Sequence, residues 1–198
     1  MQPTIILASQ SKQRKLLMDT LGIPFEVLPA DIDEKAIQHA DPIIRAELIA
    51  QAKAREIART WSEKSDTPAV IIAADTFCFM DGELFEKPVD AADAIRMITA
   101  LSGKISTAVT GFCMIQTETG VEKLTSVQTS MSVRELSSFE ISRYVETNEV
   151  TQWSGGFSPA YHEGMALFDS ISGSLTSFSH GFPMEIVVPS LRKAGIEI

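Results

Sequence analysis

Side chains that could bind phosphate are concentrated just after the first apolar run of the chain. Ser9, Ser11 and Arg14 fall within residues 8–15. A strand that gives way to hydroxyl residues and a helix start leaves backbone N–H groups free for a phosphate. An arginine can bind that phosphate with two parallel hydrogen bonds. A serine-capped helix with a solvated basic first turn would have the same sequence, so both interpretations stand.

A single acid, Asp75, ends the apolar run 69–74. Ligands of open α/β sheets bind at the carboxyl ends of strands. A carboxylate buried beside such a run needs a metal, a cation or a hydrogen-bond donor. Asp75 is therefore predicted to end a buried strand and to take part in chemistry. The alternative is an Asp that caps the next turn.

Three more charged residues stand where a side chain could serve a site. Glu34 belongs to the acidic segment 31–34, and Lys53 interrupts a largely apolar helical face. Lys87 precedes Pro88, which keeps the backbone of Lys87 extended. Each of the three, taken alone, is more often a surface charge or part of a salt bridge.

Common nucleotide and metal motifs are missing from the chain. The sequence has no Gly-x-x-x-x-Gly-Lys loop, no Gly-x-Gly-x-x-Gly turn, no Gly-x-Ser-x-Gly elbow and no His-Glu-x-x-His helix. Carboxylates accompanied by cations suit a hard, oxygen-seeking ion. The expected cofactor is a divalent cation, Mg²⁺ or Mn²⁺, with Co²⁺ as a further option.

The elements that must position these residues form a mixed α/β pattern. Short β-like apolar runs alternate with longer helical stretches. Strands are predicted at 4–8, 25–28, 69–74, 77–80, 83–85, 106–117 and 121–133. Helices are predicted to begin at Ser11, Asp41, Asp90, Ser137 and Pro183. Residues 148–179 are predicted to form loops and short strands.

Length and charge limit the classes of function. With 198 residues, 44% of them apolar, the chain can bury the core of one domain, 1–198. The net charge of −9 disfavours a nucleic-acid polymer as partner but permits a single nucleotide. No apolar stretch approaches the ~20 residues of a membrane span, so no membrane partner is expected. Cys78 and Cys113 lie in apolar runs, which favours a reducing compartment, the cytoplasm.

An ordered set of short segments resembles the Maf family, the septum-formation-associated nucleotide pyrophosphatases. The set comprises Leu7-Ala8-Ser9-Gln10-Ser11 with Arg14, Leu21-Gly22-Ile23-Pro24-Phe25, Asp31-Ile32-Asp33-Glu34, Ile49-Ala50-Gln51-Ala52-Lys53-Ala54, Ala73-Ala74-Asp75-Thr76, Asp81-Gly82-Glu83, Lys87-Pro88, Leu101-Ser102-Gly103-Lys104 and Thr110-Gly111. Each segment is short, but the set spans nearly the whole chain.

The resemblance implies a fold, a reaction and residue roles. The fold would be two α/β lobes around a mixed sheet flanked by helices, with the active site in a cleft between them, similar to the inosine-triphosphate pyrophosphatases. The reaction would convert a nucleoside triphosphate, standard or modified, to the monophosphate and pyrophosphate, a house-cleaning activity. A homodimer is compatible with it. The implied roles are phosphate binding by Ser9, Ser11 and Arg14, charge stabilisation by Lys53 and Lys87, and metal and water handling by Glu34 and Asp75, with Asp75 as general base.

Several positions depart from the family pattern. Lys12 stands where the family has Pro, and Gln13 where it has Arg or Trp. Ser106 stands where a His is common, and Gln152-Trp153 where one subgroup has Asp-Lys. Ala160 falls near a position at which a Gln or Glu helps to recognise the nucleotide base. Thr76 matches the subgroup that acts on pyrimidine triphosphates, whereas Gly155-Gly156-Phe157 and Leu167-Phe168 resemble the subgroup that acts on 7-methylguanosine triphosphate. A uridine or thymidine triphosphate that contacts Gln13 and Thr76 is the expected substrate, with the methylated purine as the alternative. A non-hydrolytic nucleotide-binding regulator of cell division is the alternative function.

Overall fold

A computed structural model describes residues 3–160 and 162–198, and within them the chain forms one mixed seven-stranded sheet flanked by helices. The mixed α/β fold is thereby confirmed. The strands are β1 (Thr4–Leu7), β2 (Glu26–Val27), β3 (Ala69–Met80), β4 (Glu83–Phe85), β5 (Ile105–Gln116), β6 (Glu122–Val133) and β7 (Phe168–Gly173). Their order is β2-β1-β3-β5-β6-β7, and β4 pairs with β3. β1 runs parallel to β2 and β3, whereas the β3–β4 and β6–β7 pairs are antiparallel.

Four of the described helices begin directly after capping residues that the sequence predicts. The helices are α1 (Lys12–Asp19), α2 (Pro42–Ser62), α3 (Ala91–Leu101), α4 (Ser138–Thr147), α5 (His162–Met165), α6 (Leu175–His180) and α7 (Met184–Lys193). Side chains of Ser11, Asp41, Asp90 and Ser137 accept hydrogen bonds from the first turns of α1 to α4. In α4 the cap is reciprocal, because Glu140 also binds the backbone N–H of Ser137.

The chain divides into two compact units. The first contains the described residues up to Asp75, together with Thr110–Val127 and Gly181–Ile198. The second contains the described residues of Thr76–Val109 and Gln128–His180. The strands β3, β5 and β6 each contribute residues to both units.

Strand alternation gives the first unit two apolar layers. One layer joins Leu7, Ile72 and Phe112 to α1 and α7, and the other joins Ile6, Ile71 and Cys113 to α2. Successive side chains of a strand point to opposite faces, so each central strand feeds both layers. The second unit has one core, to which β3, β4, α3 and α4 contribute. Across residues 3–160 and 162–198, no helix is long and apolar enough to cross a lipid bilayer.

Two expectations about the elements are wrong. The predicted strands 69–74 and 77–80 are one continuous strand, so Asp75 lies inside β3 and does not end a strand. A buried carboxylate within a strand is tolerated here because a lysine from α2 donates to it. Residues 148–179 contain the expected short strand, β7, but also α5 and most of α6, which were not expected. Both helices are short and lack the long apolar period that predicts a helix.

Candidate active site

The side-chain periods of α2 and β3 bring Lys53 and Asp75 together. Ile71 and Ala73 face the layer that packs on α2, and Asp75 follows them at the next positions of the same period. On α2, Lys53 lies in the buried stripe that contains Ala50 and Ile57. The lysine that interrupts the apolar face and the acid that interrupts the apolar strand are therefore partners.

Lys53 bridges two carboxylates in the first unit. Its Nζ lies 2.7 Å from Asp75 Oδ1 and 2.9 Å from Glu34 Oε1. The side chains of Lys53 and Asp75 are 11% and 9% exposed, whereas that of Glu34 is 50% exposed. Asp75 is thus held from one side by a buried cation, and the cluster meets solvent at Glu34.

The second carboxylate oxygen of Asp75 has no hydrogen-bond partner in the described part of the chain. Asp75 Oδ2 is buried, while Oδ1 accepts from Lys53. A buried carboxylate oxygen without a donor is costly, and a native site normally satisfies it with water, an ion or a ligand. Asp75 Oδ2 is therefore a buried acceptor that a water molecule or a metal ion could satisfy.

Glu34 is presented by a short 3₁₀ turn, Glu34–Ala36. Asp33 caps this turn, because its side chain accepts from the backbone N–H groups of Lys35 and Ala36. Two acids of the segment 31–34 therefore have different roles. One acid orders the turn, and the next acid reaches Lys53.

Arg14 is buried beside this cluster and binds backbone carbonyls. Its Nη1 donates to Ala74 O at 2.7 Å and to Ser9 Oγ at 3.2 Å, and its Nε donates to Gly181 O at 2.9 Å. Burial lowers the pKa of Arg14, an effect opposed by the negative charges of Asp75 and Glu34. Arg14 fixes the backbone of the residue immediately before Asp75. Its predicted phosphate contact stays a prediction.

The serine turn is organised by its own hydrogen bonds. Ser9 Oγ accepts from Ser11 N at 3.2 Å, and Ser11 caps α1 by accepting from Arg14 N. Ser11 Oγ also donates to Gln13 Oε1 at 3.2 Å. Ser9 is buried, and Ser11 and Gln13 are half-buried. The turn leads from β1 into α1, as the sequence predicts.

The donor set fits a divalent cation in part. Asp75 Oδ2 supplies one buried oxygen that no donor occupies, and Glu34 supplies a second, exposed carboxylate. Among the residues that the structure describes, no group of three or more His, Cys, Asp or Glu side chains could hold a metal ion. A cation here would need further oxygens from water or phosphate, as Mg²⁺ commonly does.

Two predicted site residues belong to the second unit. Thr76 follows Asp75 directly in β3 and is half-buried, whereas Lys87 is exposed between β4 and α3. The first unit thus brings together Ser9, Arg14, Glu34, Lys53 and Asp75. Sequence reasoning missed the acceptor at Gly181, because a backbone carbonyl leaves no signal in residue type.

Comparison with known proteins decides the family. The family model described as Maf-like protein matches residues 4–194. The chain belongs to the Maf family. A dTTP/UTP pyrophosphatase of Moorella thermoacetica is 33% identical over 194 residues, covering 98% of this Maf chain and 96% of that protein. A dTTP/UTP pyrophosphatase of Deinococcus radiodurans is 34% identical over 197 residues, covering 98% and 94%.

A more distant likeness comes from a solved structure. The nucleoside-triphosphatase / dITP/XTP pyrophosphatase of Mycobacterium abscessus covers 96% of the Maf chain and 97% of its own, at 12% identity and a TM-score of 0.42.

Proposed function

We propose that this Maf-family chain is a metal-dependent pyrophosphatase that hydrolyses uridine or thymidine triphosphates to the monophosphate and pyrophosphate. The observation that carries the proposal is the buried Asp75, which Lys53 holds at Oδ1 and to which no described residue donates at Oδ2. The relatives named dTTP/UTP pyrophosphatase support the choice of reaction and substrate.

The chemistry assigned to the chain's own residues is general-base hydrolysis. Asp75 Oδ2 accepts a proton from a water molecule, whose oxygen forms a bond to the α-phosphorus. The bond from that phosphorus to the oxygen that bridges the α- and β-phosphates breaks, and pyrophosphate leaves. Lys53 holds Asp75 in place, and its charge stabilises the negative charge that develops on the phosphates.

Glu34 and Asp75 are the residues that would hold the divalent cation. When bound, the cation would neutralise phosphate charge and favour attack by water. A bound cation would also offset the repulsion between a chain of net charge −9 and its polyanionic substrate.

A nucleotide panel tests this assignment. UTP, dTTP, GTP and ATP are incubated with the protein and Mg²⁺ or Mn²⁺, and pyrophosphate, orthophosphate and nucleotide products are quantified. Monophosphate and intact pyrophosphate are expected, and excess chelator should abolish both. Orthophosphate and nucleoside diphosphate as first products would overturn the assignment. Tight UTP binding without turnover would favour the regulatory alternative.

The proposal extends to location and assembly. We propose the reducing cytoplasm as the chain's compartment, because both cysteines are free and buried and form no disulfide. A homodimer in solution would be tested by light scattering. A link to septum formation rests on the family resemblance and would be tested by measuring cell length after deletion of the gene.

A further inference from the structure

We propose that the turn Ser154–Gly156 is a positioning element that holds Lys87 against the strand that carries Thr76. All of these residues belong to the second unit. The inference rests on the proposed function, because it takes Lys87 to stabilise the charge that develops on the phosphates.

The hairpin of β3 and β4 brings the backbones of Thr76 and Lys87 towards each other. Its register pairs Cys78 with Phe85, and β4 ends there. Continuing this register by two residues would set Thr76 opposite Lys87. The paired register ends at Cys78–Phe85, so hydrogen bonds from a third segment to the residues beyond that pair would help to keep the two strands of the hairpin in a fixed relation.

The Ser154–Gly156 turn supplies donors to both arms. Ser154 Oγ donates to Thr76 O at 3.3 Å, and Gly155 N donates to Glu86 O at 3.0 Å. Glu86 precedes Lys87 directly. The turn therefore binds one carbonyl on each arm just past the last pair of the hairpin.

The third residue of the turn, Gly156, contacts the residue that follows Lys87. A Cβ added to Gly156 would lie 3.6 Å from Pro88 Cγ and 3.4 Å from Ala94 Cβ. Gly156 thus lies against Pro88, which follows Lys87, and against α3. Both chain neighbours of Lys87 are in contact with the same turn, while the lysine side chain itself is exposed.

The turn is held rigidly by the core of the second unit. Gly155 has φ of +72°, and a Cβ there would lie 2.7 Å from Phe157 Cε1, so only glycine fits. Phe157 is buried and meets Phe168 edge-on at 5.2 Å. The next residue, Ser158, donates its backbone N–H to the hydroxyl of buried Tyr144 at 3.0 Å. The turn is therefore anchored to the core of the second unit, and its hydrogen bonds in turn fix the segment between β4 and α3 that contains Lys87.

The first test is Ser154→Ala, which removes the hydroxyl that binds Thr76 O. A displaced catalytic cation lowers the rate more than it lowers binding, so kcat for UTP should fall about tenfold while KM changes less than about twofold. Ser154→Thr keeps the hydroxyl and should restore most of the activity. Gly155→Ala should have a larger effect, and the two Ser154 variants decide the question where Gly155→Ala does not fold.

Two controls separate positioning from general stability. Ser102→Ala removes a comparable bond in the same unit, since Ser102 Oγ accepts from Leu136 N at 2.8 Å, and kcat should stay within about twofold of wild type. In a Lys87→Ala background, Ser154→Ala should change kcat by less than about twofold, because its effect acts through Lys87.

The outcomes distinguish this inference from the proposed function. Wild-type kcat in Ser154→Ala, an equal loss in Ser102→Ala, or an undiminished loss in the Lys87→Ala background would each overturn the positioning role. If the wild-type protein releases no pyrophosphate from any triphosphate, the proposed function fails. Hydrogen exchange then tests the contact itself, since Ser154→Ala should increase exchange at residues 83–87 and Ser102→Ala should not.

Discussion

The ion pair between Asp75 and Lys53 reduces the free-energy cost of burying each charge. A buried carboxylate needs a donor, and a buried ammonium needs an acceptor, and the 2.7 Å contact between them meets one need of each. Removing one partner leaves an uncompensated charge. Substitution at either position therefore affects both folding and chemistry, and an experiment must measure the two on one preparation.

Asp75→Asn should lower kcat by roughly 100-fold or more, because the amide keeps the shape of the side chain but cannot accept a proton as a base. The measurement is the steady-state rate of pyrophosphate release per folded molecule, with the melting temperature taken from the same sample. Asp66→Asn, at an exposed position, is the matched control. A variant that melts earlier but retains its turnover would show that Asp75 serves only the structure.

Lys53→Ala should cost about 2–4 kcal/mol of transition-state stabilisation, because a preorganised cation beside the developing charge is lost. Lys87→Ala should cost a similar amount, without the loss of a buried ion pair. The control is Lys193→Ala, at an exposed residue that ends α7. The quantity to compare is kcat/KM for UTP. Equal losses at all three positions would show that general charge, and not a site, is responsible.

At the scale of elements, the sequence predicts what is determined locally. Caps at Ser11, Asp41 and Asp90 precede helices because a side-chain oxygen binds the N–H groups of the next turn, a contact that spans only two or three residues. The place of Asp75 inside β3 could not be predicted in this way, because the lysine that satisfies it lies on another element.

In the candidate site too, single residues could be predicted from the sequence, whereas contacts between elements could not. Residue types indicated Lys53, Asp75 and Glu34 separately, since a charge on an apolar face or in an acidic loop is visible in the sequence. Their joining into one ion-paired cluster needs the packing of α2 on β3. The contact of Arg14 with Gly181 is between residues 167 apart in sequence, and no local pattern marks it.

The capping box of α4 predicts a pH dependence of stability. The hydrogen bond from Ser137 N, a second from Ser137 Oγ and one from Arg134 lower the pKa of Glu140 from 4.5 to about 2. Because the folded-state pKa is depressed, this contribution is fully present above pH 4.5 and is lost as the pH falls towards 2. Glu140→Gln should therefore be less stable than wild type at pH 7, and the difference should shrink over that interval.

Urea unfolding at a series of pH values between 2 and 7 measures this effect. Ser137→Ala is the matched control, because it removes the hydroxyl that pairs with Glu140. In the Ser137→Ala background, Glu140→Gln should produce a smaller change in the free energy of unfolding. A difference between Glu140→Gln and wild type that stays constant with pH would contradict the assignment.

At the scale of the whole molecule, the two units contribute different kinds of residue. The first unit carries the ion-paired acid and the serine turn with Gln13, and the second carries Thr76 and Lys87. Under the proposed function, Lys53 and Asp75 of the first unit and Lys87 of the second unit are expected to act in hydrolysis. Substitutions at Gln13 and Thr76 are expected to change discrimination between bases more than the rate of hydrolysis.

Gln13 is expected to contribute to the discrimination between nucleotide bases. Gln13 offers a neutral amide, already paired with Ser11 Oγ at 3.2 Å, where the family usually has Arg or Trp. A tryptophan would provide a stacking surface for a cationic methylated purine, and the amide does not. UTP and dTTP should therefore be preferred over 7-methylguanosine triphosphate, but loosely, because a neutral hydrogen bond contributes only about 0.5–1.5 kcal/mol.

Competition assays that compare kcat/KM for UTP, dTTP and 7-methylguanosine triphosphate measure the preference. Gln13→Trp should raise kcat/KM for the methylated purine, and Gln10→Trp, at an exposed neighbour, should not. A wild-type preference for the methylated purine would mean that residues 155–168, and not Thr76, determine the base.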